Sequence, residues 1–182
     1  VELCSVEDGE PYCTTQITPR IGGPPVGLMA GGGKIPPVAI VTEGSHRLVA
    51  IDVRTGEPRW RFASRSGGEF RLKKVGRILL VTCGEDAVHA LDLATGEDVW
   101  RFAERGCFQF KPLVSKETVV TAAVRGPREG TLFAVDLFSG EPKWRAELGG
   151  PPTADPFAAG DAVLISRAGE EASLSAHCLR SG

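Results

Sequence analysis

Along most of the chain, short runs of β-branched and aliphatic residues alternate with clusters of Gly, Pro, Asp, Ser and Thr. Such runs, bounded by turn formers, read as strands. Between residues 63 and 102 the pattern predicts strands at roughly 69–75, 77–83, 87–92 and 97–102. Elsewhere Val119-Val120 leads a run ending in Val124. No stretch of ten or more residues carries a convincing 3.6-residue apolar period, which argues against helical repeats. The longest purely aliphatic run, Ile78-Leu79-Leu80-Val81, falls far short of the roughly 20 residues of a membrane-spanning helix.

The strand pattern is itself repeated. Ala50-Ile51-Asp52-Val53-Arg54-Thr55-Gly56-Glu57-Pro58-Arg59-Trp60 returns as Ala90-Leu91-Asp92-Leu93-Ala94-Thr95-Gly96-Glu97-Asp98-Val99-Trp100. It returns again as Ala134-Val135-Asp136-Leu137-Phe138-Ser139-Gly140-Glu141-Pro142-Lys143-Trp144, so all three tryptophans of the protein share one register. Two degenerate copies bracket these, Val6-Glu7-Asp8-Gly9-Glu10-Pro11-Tyr12-Cys13 and Leu174-Ser175-Ala176-His177-Cys178-Leu179-Arg180-Ser181-Gly182. The glycines at 9, 56, 96, 140 and 182 are then 47, 40, 44 and 42 residues apart. Four strands in a unit of about 40–45 residues is the signature of a β-propeller blade. The expected fold is therefore all-β, a β-propeller of four-stranded antiparallel blades with about four repeat lengths present. As repeats we take 1–20 (partial), 21–62, 63–102, 103–146 and 147–182 (partial). Because both ends cut through repeats, we expect either part of a longer chain or a unit completed by a partner, such as a homodimer closing one propeller.

Each shared residue has a structural reason. An Asp between two strands accepts hydrogen bonds from the N–H groups of its own turn, and the Gly takes positive φ without a Cβ clash. The Trp, four residues beyond the Gly, sits on the next strand, where a flat indole can cover small residues of a neighbouring blade and donate its N–H to a backbone carbonyl. The structural repeat is accordingly Ala50, Asp52, Thr55, Gly56 and Trp60; Ala90, Asp92, Thr95, Gly96 and Trp100; and Ala134, Asp136, Ser139, Gly140 and Trp144.

The string Ala-x-Asp-x-x-Thr-Gly-x-x-x-Trp resembles the tryptophan-docking repeat of the PQQ-like, quinoprotein-type and BamB-like β-propellers. That resemblance covers all of the chain except residues 14–37. It implies a propeller of seven or eight blades, each Trp locking adjacent blades together, and it does not imply the cofactor, because function belongs to sites rather than folds. Departures occur at Ser139 in place of Thr, Cys178 in place of the turn Asp, and Cys13 in place of Trp. Quinone-dependent alcohol dehydrogenases that resemble this repeat also carry a Cys-Cys pair, a stacking Trp and an acidic calcium site at the axis. No Cys-Cys occurs here, and every Trp already belongs to the repeat.

Composition narrows the partner classes. Lys and Arg number 21 against 23 Asp and Glu, a net charge of -2, so no polybasic footprint points to nucleic acid. Gly and Pro, 23 and 13 residues, make up about a fifth of the chain, below the range typical of low-complexity disorder. The first 30 residues lack the basic and apolar regions of a signal peptide. The five cysteines, Cys4, Cys13, Cys83, Cys107 and Cys178, are odd in number and form no C-x-x-C pair. A Cys4–Cys13 disulfide is an expectation only for an exported chain. The three histidines show no zinc-ligand spacing. Ala30-Gly31-Gly32-Gly33-Lys34 lacks the first Gly and the Ser or Thr of a phosphate loop and reads as a connector. Glu85 and Asp86 read as a solvated turn.

We therefore expect a non-catalytic propeller, with no catalytic, cofactor-binding or metal-binding residues assigned, that serves as a protein-interaction or assembly scaffold. The resemblance extends to BamB-type scaffolds of outer-membrane protein assembly and to sensor propellers of bacterial kinases, and suggests a periplasmic or cell-surface location. The alternatives are a piece of an alcohol dehydrogenase dependent on PQQ and calcium, and a purely structural module of a larger surface protein. Exposed loops carry recognition in such scaffolds, and 103–107, 125–130 and 147–155 are the candidates. The second, with Arg125, Arg128 and Glu129, reads as long, charged and exposed. Arg59, Arg61, Arg101, Lys143 and Arg145 flank the tryptophans and are expected to pair with Glu57, Glu97 and Glu141.

Overall fold

The computed structural model describes residues 37–169 and 173–182, together with the backbone of the strands β1 (Glu2–Cys4), β2 (Pro11–Thr14) and β3 (Gly27–Met29). The glycine-rich stretch 30–34 lies outside the described residues, as do the side chains of Cys4 and Cys13. Every described element is a strand. Among the described residues no helix is long and apolar enough to cross a membrane.

β1 and β2 form a two-stranded antiparallel pair. A first full sheet follows, in the order β3, β4 (Val38–Glu43), β5 (Arg47–Asp52) and β6 (Pro58–Ala63). The second contains β7 (Arg71–Val75), β8 (Ile78–Thr82), β9 (Glu85–Asp92) and β10 (Asp98–Phe108). The third contains β11 (Leu113–Ser115), β12 (Thr118–Gly126), β13 (Glu129–Asp136) and β14 (Pro142–Glu147). The fourth contains β15 (Phe157–Ala159), β16 (Ala162–Arg167) and β17 (Ser173–Cys178). Each sheet is an antiparallel meander, and the strands of the second fall within two residues of the spans expected from sequence except at the end of β10.

The cores lie between the sheets. β4 and β5 are buried on both faces: Val38, Ile40, Leu48 and Ala50 pack with Leu72, Leu79, Val81 and Leu91 of the second sheet. Ala39, Val41, Val49 and Ile51 face the other way. A second cluster joins sheets two and three through Trp100, Phe102, Phe108 and Phe133. A third joins sheets three and four through Val120, Leu132, Val163 and Ile165. Burial on both faces explains why the middle strands read as unbroken aliphatic runs. In β6, by contrast, burial alternates, with Trp60 and Phe62 buried and Arg61 exposed. One blocked face and one wet face define the outer strand of each sheet.

A meander has two ends. Turns joining the first strand to the second and the third to the fourth lie at one, here called the turn face. Hairpins joining the second strand to the third, and connections to the next sheet, lie at the other, the loop face. Near the loop face β10 leaves its register with β9 after Ala103, Cys107 pairs with Val124 of β12, and Phe108 returns to Glu85 of β9. Residues 103–107, expected as a loop, are therefore strand, held by the edge of the neighbouring sheet. The segment 125–130 is likewise not a long loop: Gly126 pairs with Glu129, leaving a hairpin turn at Pro127-Arg128. Glu85 and Asp86 open β9 rather than forming a turn.

Candidate functional site

At the turn face the repeat residues converge in the same way at each sheet boundary. Trp60 Nε1 donates to the Leu93 carbonyl at 3.0 Å, Trp100 Nε1 to Leu137 at 2.8 Å and Trp144 Nε1 to Leu179 at 3.0 Å. Each acceptor lies one residue after the Asp, or after its Cys178 counterpart, in the following repeat. Trp60 and Trp100 are buried, while Trp144 is partly buried against the third cluster. The glycine of the next repeat lies beneath the ring. A Cβ added to Gly96 would come within 2.5 Å of Trp60, and one on Gly140 within 2.7 Å of Trp100. Both glycines also have positive φ, 75° and 73°, so the position excludes a side chain on two grounds. Ala50, Ala90 and Ala134 stand directly opposite the three tryptophans across the third and fourth strands, all fully buried.

The turn aspartates act as local anchors. Asp52 Oδ1 accepts the Arg54 N–H at 2.8 Å. Asp92 Oδ1 accepts those of Ala94 and Thr95 at 2.8 and 3.2 Å. Asp136 Oδ1 accepts those of Phe138 and Ser139 at 2.9 and 3.1 Å. The other oxygen of each takes a cation: Arg59 at Asp52, Arg77 at Asp92 and Lys143 at Asp136. These partners replace the expected pairing of Arg59 and Lys143 with the repeat glutamates. A carboxylate already aimed at its turn is a nearer and more buried acceptor than an exposed Glu. Arg101 pairs instead with Asp86 at 3.2 Å, while Arg61 and Arg145 stay exposed on the outer strands.

These contacts set the charge states. The Arg54 N–H and then the Arg59 guanidinium hold the Asp52 carboxyl below its ordinary value. At Asp92 burial works against ionisation, but the Ala94 N–H and Arg77 outweigh it and the carboxyl is again lowered. Lys143, then the N–H groups of Phe138 and Ser139, bring Asp136 down to about 2. Cys178 stands in the same position, and N–H groups of Arg180 and Ser181 hold its thiol below the usual range in place of a carboxylate. Thr55 and Thr95 accept the N–H of Glu57 and Glu97 at 3.3 Å, and Ser139 does the same for Glu141. A hydroxyl is all this position requires, which explains the Ser.

The loop face is different in kind. A depression of about 650 Å³ is lined by Gly67, Gly68, Glu69, Arg71, Gln109 and Asp155, among others, with Cys83 and Cys107 beside them. It is built from the connections between sheets, which sequence periodicity does not mark. Asp155 accepts the Lys111 N–H at 2.9 Å, and Glu69 pairs with Arg71 at 2.9 Å. Cys107 Sγ lies 3.2 Å from the Gly84 carbonyl, and burial pushes its thiol up. Of the residues expected in the 125–130 segment, Arg128 and Glu129 are exposed. Arg125 is drawn inward: its Nε donates to the Arg105 carbonyl at 3.1 Å, its guanidinium lies 5.7 Å over the Phe133 ring, and Glu104 and Glu147 flank it.

The profile described as outer membrane protein assembly factor BamB matches residues 44–127 and 85–177. The chain belongs to the PQQ-like, BamB-like family of β-propeller repeats. No match is found among curated protein sequences. Among solved structures, BamB from Moraxella catarrhalis is 22% identical with a TM-score of 0.56, over 76% of this chain and 45% of that one. The computationally designed Ika4 protein is 15% identical with a TM-score of 0.63, over 91% of this chain and 99% of that one. Quinohemoprotein alcohol dehydrogenase from Comamonas testosteroni is 18% identical with a TM-score of 0.59, over 79% of this chain and 29% of that one. The chain thus spans less than half the length of that BamB and that dehydrogenase. At these identities the shared property is the fold: all-β, with antiparallel sheets that are the blades of a propeller.

The family includes quinone enzymes, so the depression can be tested for a quinone and calcium. The residues present do not fit the pair. All three indoles lie between blades with their N–H groups bonded to carbonyls. Cys83 lies in the link between β8 and β9 and Cys107 in β10, with Cys83 Sγ 3.3 Å from Ser64 Oγ. Among the described residues no group of three or more His, Cys, Asp or Glu can hold a metal ion.

Proposed function

We propose that this propeller is a non-catalytic scaffold that recruits a protein partner through its loop face, while the turn face locks the blades. One observation carries the reading: every Trp of the protein donates its indole N–H to the next blade, at 2.8–3.0 Å. A tryptophan so bonded and packed on a glycine is a structural part rather than a stacking platform for a cofactor. Under this reading the repeat residues from Ala50 to Trp144 act as an interblade tryptophan-docking motif. Arg128 and Glu129, exposed at a hairpin tip on the loop face, remain candidates for partner contact; Arg125 supports that hairpin from below.

The test is site-specific photo-cross-linking in the native host, comparing Gln109, Arg128 and Ala154 on the loop face with Arg54, Ala94 and Phe138 on the turn face. The expected result is one dominant cross-linked protein from the loop-face positions alone. Saturable binding of PQQ and calcium by the parent protein, with dye-linked alcohol oxidation, would instead establish the dehydrogenase reading.

A further inference from the structure

Between the third and fourth blades, also on the loop face, a second concavity of about 400 Å³ is lined by Pro127, Arg128, Gly149, Gly150, Ala168 and Gly169. The segment carrying Gly149 and Gly150 is wedged between two strands. Leu148 N–H donates to the Gly130 carbonyl at 2.9 Å on one side, and Ala168 N–H to the Pro151 carbonyl at 2.9 Å on the other. Side chains are shut out of this wedge: a Cβ on Gly150 would run into the Ala168 carbonyl, and one on Gly130 into that of Gly150. What remains is bare backbone. Gly149 is left-handed, at φ 64°, and consecutive amides in such a turn form a nest that directs N–H dipoles toward an anion. Among the described residues no acceptor meets the N–H of Gly149 or Gly150.

Two guanidinium groups adjoin the same backbone. Arg167 ends β16, two residues beyond the buried Ile165, and its Nη1 lies 2.9 Å from where a Cβ of Gly149 would be. Its Nε is buried with no hydrogen-bond partner. Arg128 lines the groove from the hairpin tip. Among the described residues neither forms an ion pair, whereas nearby Arg125 faces both Glu104 and Glu147. The adjacent acid, Glu129, lines the neighbouring concavity beside Gly126 instead. A buried guanidinium nitrogen without an acceptor, next to unfilled amides, is the complement of an oxyanion.

We propose that this groove binds a carboxylate of an acidic partner peptide, held between Arg128, Arg167 and the amides of Gly149 and Gly150. An ion alone would leave most of the groove empty, so the oxyanion is taken as part of a larger chain. The guanidinium fork suits carboxylate and phosphate alike. The choice of a peptide rests on the scaffold reading; the oxyanion site rests on this groove alone.

The experiment is a titration of the ¹⁵N-labelled chain, observed by NMR, with N-acetylated tetraglutamate, with inorganic phosphate, and with sodium chloride at matched ionic strength. Tetraglutamate is expected to give saturable shifts at the amides of Gly149 and Gly150 and at Nε–H of Arg167. Binding should weaken at least tenfold in Arg128→Gln and be lost in Arg167→Gln. If Arg167→Gln does not fold, Arg128→Gln and Arg128→Glu carry the test, because residue 128 is exposed. Phosphate binding as tightly as tetraglutamate overturns the carboxylate assignment. The absence of saturable shifts from either anion, or shifts unchanged in Arg128→Gln, overturns the site. Either failure leaves the cross-linking result untouched, so this proposal and the scaffold reading can fall separately.

Discussion

The two faces of the propeller solve different problems with the same strands. At the turn face the three complete repeats do the same thing: an indole covers the next repeat's glycine, and an Asp ties down the turn. At the loop face no two connections match. One hairpin is a turn at Pro127-Arg128, one strand runs across into the next blade at Cys107, and the link from β14 to β15 is a glycine wedge. Under the proposed function, sameness marks the part that joins the blades and difference marks the surface for recognition. Even within the turn face the comparison is instructive. Blades one and three hold the Asp with a cation from the fourth strand, Arg59 or Lys143. Blade two has Val99 there and uses Arg77, from the turn between its first two strands, at 2.6 Å. The requirement is a cation at the carboxylate, not a particular strand to supply it.

The sharpest way to break the symmetry between faces is to remove a lock. Trp100→Ala should cost about 3–5 kcal/mol, the usual range for a buried Trp truncated to Ala, read as a lower midpoint in urea unfolding. Arg128→Gln at the loop face should stay within about 0.5 kcal/mol, as for an exposed site. Next comes the pair Gly96→Ala and Gly76→Ala. Both glycines have positive φ, 75° and 56°, but only at Gly96 does the new Cβ meet an indole. Both should lose about 1–2 kcal/mol for the backbone conformation, and Gly96→Ala should lose measurably more. An equal loss would remove the Trp60 contact from the account.

Acid titration sharpens the role of the aspartates. Their carboxyls are lowered in the folded state, so the stability they contribute is complete above the unfolded value of about 4. It is lost as pH falls from about 4 toward the folded value, about 2 for Asp136. Urea midpoints measured at stepped pH should be flat near neutrality and fall in that window, less steeply in Asp136→Asn. The smallest effect belongs to the substituted cation. Arg77 is largely exposed, so Arg77→Ala should cost less than about 1 kcal/mol, and Val99→Lys should restore it in a double-mutant cycle.

Much of this was legible in the sequence because the repeat residues act locally or on the next repeat. Asp52, Gly56 and Trp60 state a turn, a positive φ and an interblade contact within nine residues, and the strands between them follow from apolar runs. The loop face was not legible in this way. Residues 103–107 look like a loop because their strand partner, Val124, belongs to another blade. Arg125 looks exposed because Phe133, Glu104 and Glu147 come together around it only in three dimensions. By spacing alone the repeat glutamates are natural partners for the flanking cations; the structure instead pairs Arg59, Lys143 and Arg101 with aspartates. The groove at Gly149 carries no motif, since its cause is a close approach of backbones from two blades.

Hydrogen exchange of the three indole N–H groups, followed by NMR, tests the central claim most directly. If the tryptophans are locks between blades, all three signals exchange slowly, Trp60 and Trp100 more slowly than the partly buried Trp144, and none shifts when PQQ and calcium are added. Rapid exchange at Trp60 and Trp100, or an indole signal displaced on adding PQQ and calcium, would contradict it.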